Sequence, residues 1–158
     1  MDFVRENLLY RKGAVGVVLD SCDNVLIVQM IDYANDQWRF AGGGVEEGEK
    51  AEAALLRELK EELGSDEFEV LGKSSLVNEY DWPDEVVAHQ KYGVLFRGQR
   101  QEQFLVRFWG DKSSLKVDEN ELKAIKWVTL DELKNYFIFP GQWEMAEKLF
   151  EELLEISV

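Results

Sequence analysis

Cysteine, proline, histidine and positive charge are all scarce in this chain. Cys22 is the sole cysteine, so no disulfide framework is available and a reducing compartment, the cytoplasm, is the expected setting. Two prolines in 158 residues, with no low-complexity tract, leave little room for disorder beyond the termini. No apolar run approaches the roughly 20 residues that a membrane-spanning helix needs, and no signal-peptide core is present, so no membrane partner is expected. Lys and Arg number 18 against 32 Asp and Glu, a formal charge of −14. Grip on a long polynucleotide comes largely from cations that neutralise phosphates, so this balance disfavours an extended nucleic-acid-binding module. A small anionic ligand stays admissible where metal ions screen the protein's own acids.

Apolar material, in contrast, is plentiful. At 46% hydrophobic and 12% aromatic residues, the chain can build one ordinary core, and a single domain over residues 1–158 is expected. The β-branched run "AVGVVLD" (14–20), the turn-like "SCDN" and "VLIVQM" (25–30) predict a β-hairpin. "QWRF" (37–40) reads as a short strand that feeds a glycine cluster. From about Lys50 to Leu63 the spacing is helical, with Leu55, Leu56, Leu59 and Leu63 on one stripe, and Gly64 is a natural stop. "FEVLGKSSLV" (68–77) predicts a strand, "NEYDWPDEVVAHQKYG" (78–93) a loop, and "VLFRG" with "EQFLVRFWG" (102–110) a pair of strands. "ELKAIKWVTL" (121–130) ends in a strand, "TLDEL" opens a short helix capped by Thr129, and "GQWEMAEKLFEELLEI" (141–156) is a second long amphipathic helix. This order fits a mixed sheet with helices packed on it.

The chemistry concentrates in "AGGGVEEGEKAEAALLRELKEELG" (41–64). A helix turns about 100° per residue, so Glu58, Glu61 and Glu62 share one face beside the leucine stripe. Like charges so stacked repel by a few tenths of a kcal/mol per pair, a cost that calls for a return. Carboxylates converging on one point suit a hard divalent cation such as Mg²⁺, which also takes water and phosphate oxygens into its shell. The preceding glycines let backbone approach the same spot, their carbonyls as neutral ligands and their N–H groups as phosphate donors. Such a metal would neutralise charge on a pyrophosphate and activate water against it. A Glu-rich helix alone is an ordinary solvated face. Here, however, Gly43, Glu49, Arg57, Glu58, Leu59, Glu61, Glu62 and Gly64 fall at fixed spacing, a pattern met by chance about once in a million such chains.

This stretch resembles the Nudix box, the signature of hydrolases that act on a nucleoside diphosphate linked to another moiety. The one departure is Ser65, where the family usually has an aliphatic residue in a packing position. The resemblance implies an α/β fold, a Nudix-type α/β/α sandwich with a mixed β-sheet. It implies that Glu58, Glu61 and Glu62 serve catalysis by ligating Mg²⁺ or Mn²⁺, with the backbone carbonyl of Gly42 assisting. Arg57 would pair with Glu49 to brace the loop against the helix, a task suited to one guanidinium among acids, and Gly43 and Gly64 would be structural. The general base stays open between a box glutamate and a loop acid.

Outside the box, "YRKGAVGVV", "QWRFAGGGV", "EYDWPDEVV", "FRGQRQEQFLVRF" and "ENELKAIKWV" resemble segments of bacterial RNA pyrophosphohydrolases and the related dinucleoside polyphosphate hydrolases. By position, Glu121 matches a further metal-ligating glutamate of that branch, and Arg11 matches a substrate-contacting residue. Either also reads as an ordinary surface group. Phe139 is a candidate to stack on a base, or a core aromatic. "VQMID", Ala41-Gly42 and "FPGQ" depart from the branch, where basic residues, Pro-Gln and "FKR" are usual, and put RNA 5′-end processing in question. His89 and Cys22 read as surface residues, and Trp82 as a loop aromatic.

The expected activity is therefore metal-dependent hydrolysis of a phosphoanhydride by water attack at phosphorus. Dinucleoside polyphosphates or triphosphorylated RNA 5′ ends come first as substrates. Modified dNTPs, nucleotide sugars and a non-catalytic nucleotide sensor are the alternatives. The partners left open are the nucleotide or dinucleotide substrate, an RNA 5′ end and a second copy of the chain in a homodimer.

Overall fold

The structure, a computed structural model, describes residues 3–90 and 94–154. Six strands form one mixed sheet: β1 (Leu9–Leu19), β2 (Val25–Met30), β3 (Arg39–Gly44), β4 (Phe68–Asp81), β5 (Phe96–Phe108) and β6 (Leu122–Val128). Their order is β4-β5-β1-β3-β2-β6. Only the β1–β5 pairing is parallel. The helices are α1 (Ala51–Leu63), the short α2 (Asp84–Ala88) and α3 (Gln142–Leu153). None of the described helices is long and apolar enough to cross a membrane.

Strand β1 explains the layering. Successive side chains of a strand point to opposite faces, so Ala14 and Val18 pack with Leu55, Leu59 and Leu63 of α1. Val15, Val17 and Leu19 pack with Ala146, Leu149 and Leu153 of α3 on the other face. Buried on both sides, β1 reads as a continuous apolar run rather than an alternating one. Leu55, Leu59 and Leu63 are fully buried, and each such leucine contributes about 2 kcal/mol. The result is the expected α/β/α sandwich.

Several elements differ from the sequence reading. β1 and β2 are joined by a turn in which Asp20 accepts hydrogen bonds from the Cys22 and Asn24 amides, both at 2.9 Å. Yet the two strands pair only at Leu19 and Val25 before they splay and admit β3 between them. The glycine cluster is itself strand, because β3 runs through Gly42, Gly43 and Gly44 in register with Val15, Ala14 and Gly13. "VLFRG" and "EQFLVRFWG" belong to one continuous strand, β5, held between β4 and β1. The expected loop at 78–93 begins as the end of β4 and then forms α2; its residues 91–93 lie outside the described part.

At Thr129 the cap forms without the helix. The Glu132 amide donates to Thr129 Oγ1 at 3.2 Å and the Thr129 amide to Glu132 Oε1 at 3.1 Å, a reciprocal capping box. Only a 3-10 turn, Leu133–Asn135, follows, with Leu133 and Phe137 drawn into the core beneath α3. The last helix is α3 as expected, and the tail of the predicted span, at 155–156, lies outside the described residues.

Candidate active site

Strand β3 is a thin wall, and its glycines are explained by what lies on each side. A Cβ at Gly43 would overlap the Glu58 carboxyl group, which arrives from α1. A Cβ at Gly44 would overlap the Arg11 guanidinium, which projects from β1 on the opposite face. Gly42 has φ +154°, and a side chain there would also meet the Ala14 carbonyl. The chain thus brings an acid and a base to either side of a stretch of β3, Gly42 to Gly44, that carries no side chains of its own.

Helix α1 delivers the acids. It ends at Gly64, which takes a left-handed φ of 68° and donates its amide to the Lys60 carbonyl at 2.9 Å. Arg57, in the middle of the helix, reaches back over β3. Its Nε and Nη2 donate to the two Glu49 carboxylate oxygens at 2.8 and 3.0 Å. Nη2 also donates to the Gly44 carbonyl at 3.0 Å, while Nη1 donates to Glu58 at 3.0 Å and to Glu61 at 3.3 Å. This fork holds the Glu49 carboxyl down to about 2, chiefly through its hydrogen bonds, and pushes the Arg57 pKa up. The loop, the strand and the helix are locked together at one guanidinium.

The acids divide into two groups. Glu61 is 57% exposed at its side chain and turned toward Arg57. Glu62 is 4% exposed, and its Oε2 has no hydrogen-bond partner. Burial pushes the Glu62 pKa up to about 8; Arg39 opposes the shift, while the charge of Glu58, a hydrogen bond to it and the charge of Glu121 reinforce it. Glu121 is exposed at the start of β6, with its carbonyl accepting from the Ile31 amide at 3.1 Å. The Gly42 carbonyl accepts from Arg39 Nη2 at 3.0 Å. Among the described residues, no three acids, histidines or cysteines already stand as a ready cation cage. Glu58, Glu62 and the Gly42 carbonyl, with an orphaned buried oxygen among them, are nevertheless the oxygen donor set a hard divalent cation takes.

Arg39 is the residue that sequence reasoning missed. Burial raises the Tyr33 phenol pKa against the pull of the Arg39 charge, and the Tyr33 ring meets Phe139 edge-on at 5.5 Å between centroids. A legible signal existed: in "QWRF" the aromatics Trp38 and Phe40 alternate with Arg39, which sets it on the same side of the strand as Ala41 and Gly43. Phe139 itself is half-buried. On the other side of β3, Gly13 of β1 packs against Gln99 and Gln101, both buried. Tyr80 sits across from Gln99, with its phenol pKa raised chiefly by desolvation, against the pull of Arg39 and Arg11. His89 is exposed, and its ring nitrogen bonds the Glu85 carbonyl at 2.8 Å within α2.

Comparison with known proteins gives the same frame. An RNA pyrophosphohydrolase from Sphingopyxis alaskensis is 36% identical over 152 residues, which cover 93% of this chain and 94% of that protein. The E. coli dihydroneopterin triphosphate pyrophosphohydrolase shares the fold with a TM-score of 0.69 at 20% identity, covering 93% of this chain and 99% of that one. A C. elegans Ap4A hydrolase, solved as a binary complex, follows with a TM-score of 0.65 at 16% identity, covering 90% and 98%. A bifunctional NMN adenylyltransferase/ADP ribose pyrophosphatase from Francisella tularensis, complexed with AMP and a manganese ion, matches with a TM-score of 0.61 at 20% identity over 96% of this chain and 43% of that one. The NUDIX domain family matches residues 10–149, and to that family this chain belongs.

Proposed function

We propose that this NUDIX-family pyrophosphohydrolase cleaves a phosphoanhydride of a dinucleoside polyphosphate or of a triphosphorylated RNA 5′ end. The single observation that carries the reading is buried Glu62 with its orphaned Oε2, beside half-buried Glu58 and set against a glycine strand. A buried acid without a partner is costly in a resting fold and useful where a cation is to be held. Likeness to the Sphingopyxis enzyme along nearly the whole chain favours the polyphosphate end of the family's range.

Glu58, Glu62, Glu61, Glu121 and the Gly42 carbonyl are the groups assigned to Mg²⁺ or Mn²⁺. When bound, the ion supplies positive charge to the phosphates and lowers the pKa of a water. Arg57, Glu49, Gly43 and Gly64 keep the acids in place. Arg11 is assigned to the substrate's phosphates and Phe139, with Tyr33, to a base. Exposed Cys22, without a partner thiol, suits the cytoplasm.

The test is a substrate panel with Mg²⁺ or Mn²⁺ in ¹⁸O-labelled water, with products identified by mass spectrometry. Pyrophosphate or a mononucleotide released from a capped or triphosphorylated end, with label on one fragment, supports the assignment. Turnover confined to modified dNTPs or ADP-ribose would move the chain to another branch. No turnover of any compound, with nucleotide binding intact, would make it a sensor. Glu62→Gln should lose at least about a thousandfold in rate if the acid pair carries the chemistry.

A further inference from the structure

Two side chains lie over β3 and donate to its carbonyls, and one of them, Arg39, is incompletely satisfied. Its Nη2 holds the Gly42 carbonyl at 3.0 Å, while its Nε is buried without a partner. Its charge also faces Glu62, whose Oε2 is likewise buried and unpaired. A guanidinium and a divalent cation therefore have the same two targets, one neutral oxygen and one carboxylate. From this geometry we infer that Arg39 is an internal cation that competes with the metal for Gly42 and Glu62. It holds the metal-free site together and sets the metal's affinity. The inference rests on the metal-site reading above.

The physics gives the sign. Like charges a few ångströms apart repel strongly where water is excluded, so a fixed guanidinium weakens the hold on the ion. An ion held at the Gly42 carbonyl would leave Nη2 without that acceptor. The released guanidinium then needs another anion, and the substrate brings phosphates. Arg39 is thus a positioning residue that couples metal loading to substrate. Tyr33, with Phe139 packed edge-on against its ring, lies where the Arg39 charge bears on its phenol.

The experiment is a Mn²⁺ titration of the substrate-free enzyme, followed by the EPR signal of free Mn²⁺, on wild type, Arg39→Gln and Glu62→Gln. Melting curves in chelator check that each variant folds. Arg39→Gln should bind Mn²⁺ about tenfold tighter or more, a change of about 1.4 kcal/mol by the usual conversion. At saturating Mn²⁺ it should show a raised substrate KM that Arg39→Lys partly restores. Unchanged or weaker Mn²⁺ affinity in Arg39→Gln overturns the inference. Should that variant not fold, a Mg²⁺-soaked crystal of the wild type decides. Nη2 parted from Gly42 beside a bound ion supports the competition, and Nη2 still on Gly42 beside the ion refutes it. Failure of the underlying site looks different: wild type and Glu62→Gln would then bind Mn²⁺ equally, or neither would bind it.

Discussion

Arg57 and Arg39 are built alike and end differently. Each donates to a carbonyl of the same strand, Gly44 for Arg57 and Gly42 for Arg39, and each faces a glutamate. Around Arg57, Nε, Nη1 and Nη2 all have partners, and its glutamate, Glu49, is held down to about 2. Around Arg39, Nε is orphaned, and its glutamate, Glu62, is pushed up to about 8 by burial that the arginine only partly offsets. Glu58 links the two pairs, accepting from Arg57 at 3.0 Å while its charge adds to the rise of the Glu62 pKa. A saturated pair has nothing left to offer a ligand and works as a brace. An unsaturated pair carries an unmet polar demand, and that is where an ion gains most by binding.

The largest expected effect comes from striking the link between the pairs. Gly43→Ala places a methyl against the Glu58 carboxyl and leaves the backbone conformation accessible. Displacement of a catalytic group by about 1 Å costs about a hundredfold in rate, so kcat should fall by that order while the fold survives. Steady-state kinetics beside a melting curve checks it. A variant with full activity would show that Glu58 need not sit where it does.

Next is a direct contrast between the arginines. Arg57→Ala removes the fork and strands Glu49 and the Gly44 carbonyl, and should lower the melting temperature by about 5 °C. Arg39→Gln, which gives up one carbonyl contact and an unsatisfied nitrogen, should change it by less than about 2 °C. Equal losses in the two variants would erase the distinction between brace and competitor.

The glutamates should also titrate in opposite directions. Glu62 has a folded pKa of about 8 against an ordinary 4.5, so the folded, metal-free protein binds that proton more tightly than the unfolded chain. The stability it contributes is complete below about 4.5 and is lost as pH rises through about 8. Glu49, held at about 2, contributes stability above 4.5 that disappears as pH falls through about 2. In chelator, the melting temperature should therefore decline from pH 5 to pH 8, and Glu62→Gln should flatten that decline. A flat wild-type profile would mean that the buried carboxyl is already ionised.

How much of this was legible beforehand follows from where each feature is encoded. The faces of α1 follow from rotation per residue, so the positions of Glu58, Glu61 and Glu62 relative to the leucines could be read directly. Their different fates could not, because burial of Glu62 and exposure of Glu61 depend on the sheet beneath the helix and on Arg57 above it. The expected strand stopped at Phe40, short of the glycine cluster, because glycine is a poor strand former. The cluster is strand here because Glu58 and Arg11 occupy the space its side chains would fill. β5 looked like two strands because Gln99, Gln101 and Gln103 interrupt the apolar pattern, yet all three are buried on one face. Arg39 was overlooked between two aromatics, since its role depends on the register of Val28 against Arg39 and on the loop that brings Tyr33.

Ser65 gives the smallest effect and the strictest control on the comparison. It stands where the family usually carries an aliphatic packing residue, and it is buried, with its Oγ accepting from the Glu67 amide at 3.1 Å. Ser65→Ala removes that acceptor and should cost about 1 kcal/mol in stability. The residue follows Gly64, where α1 has already ended, and it touches neither arginine pair among the contacts above. Mn²⁺ affinity and the slope of stability between pH 5 and 8 should therefore match wild type. If Ser65→Ala shifted either one, the acids would be responding to the stability of the whole fold rather than to Arg39 and Arg57, and the contrast between a saturated and an unsaturated pair would lose its explanatory force.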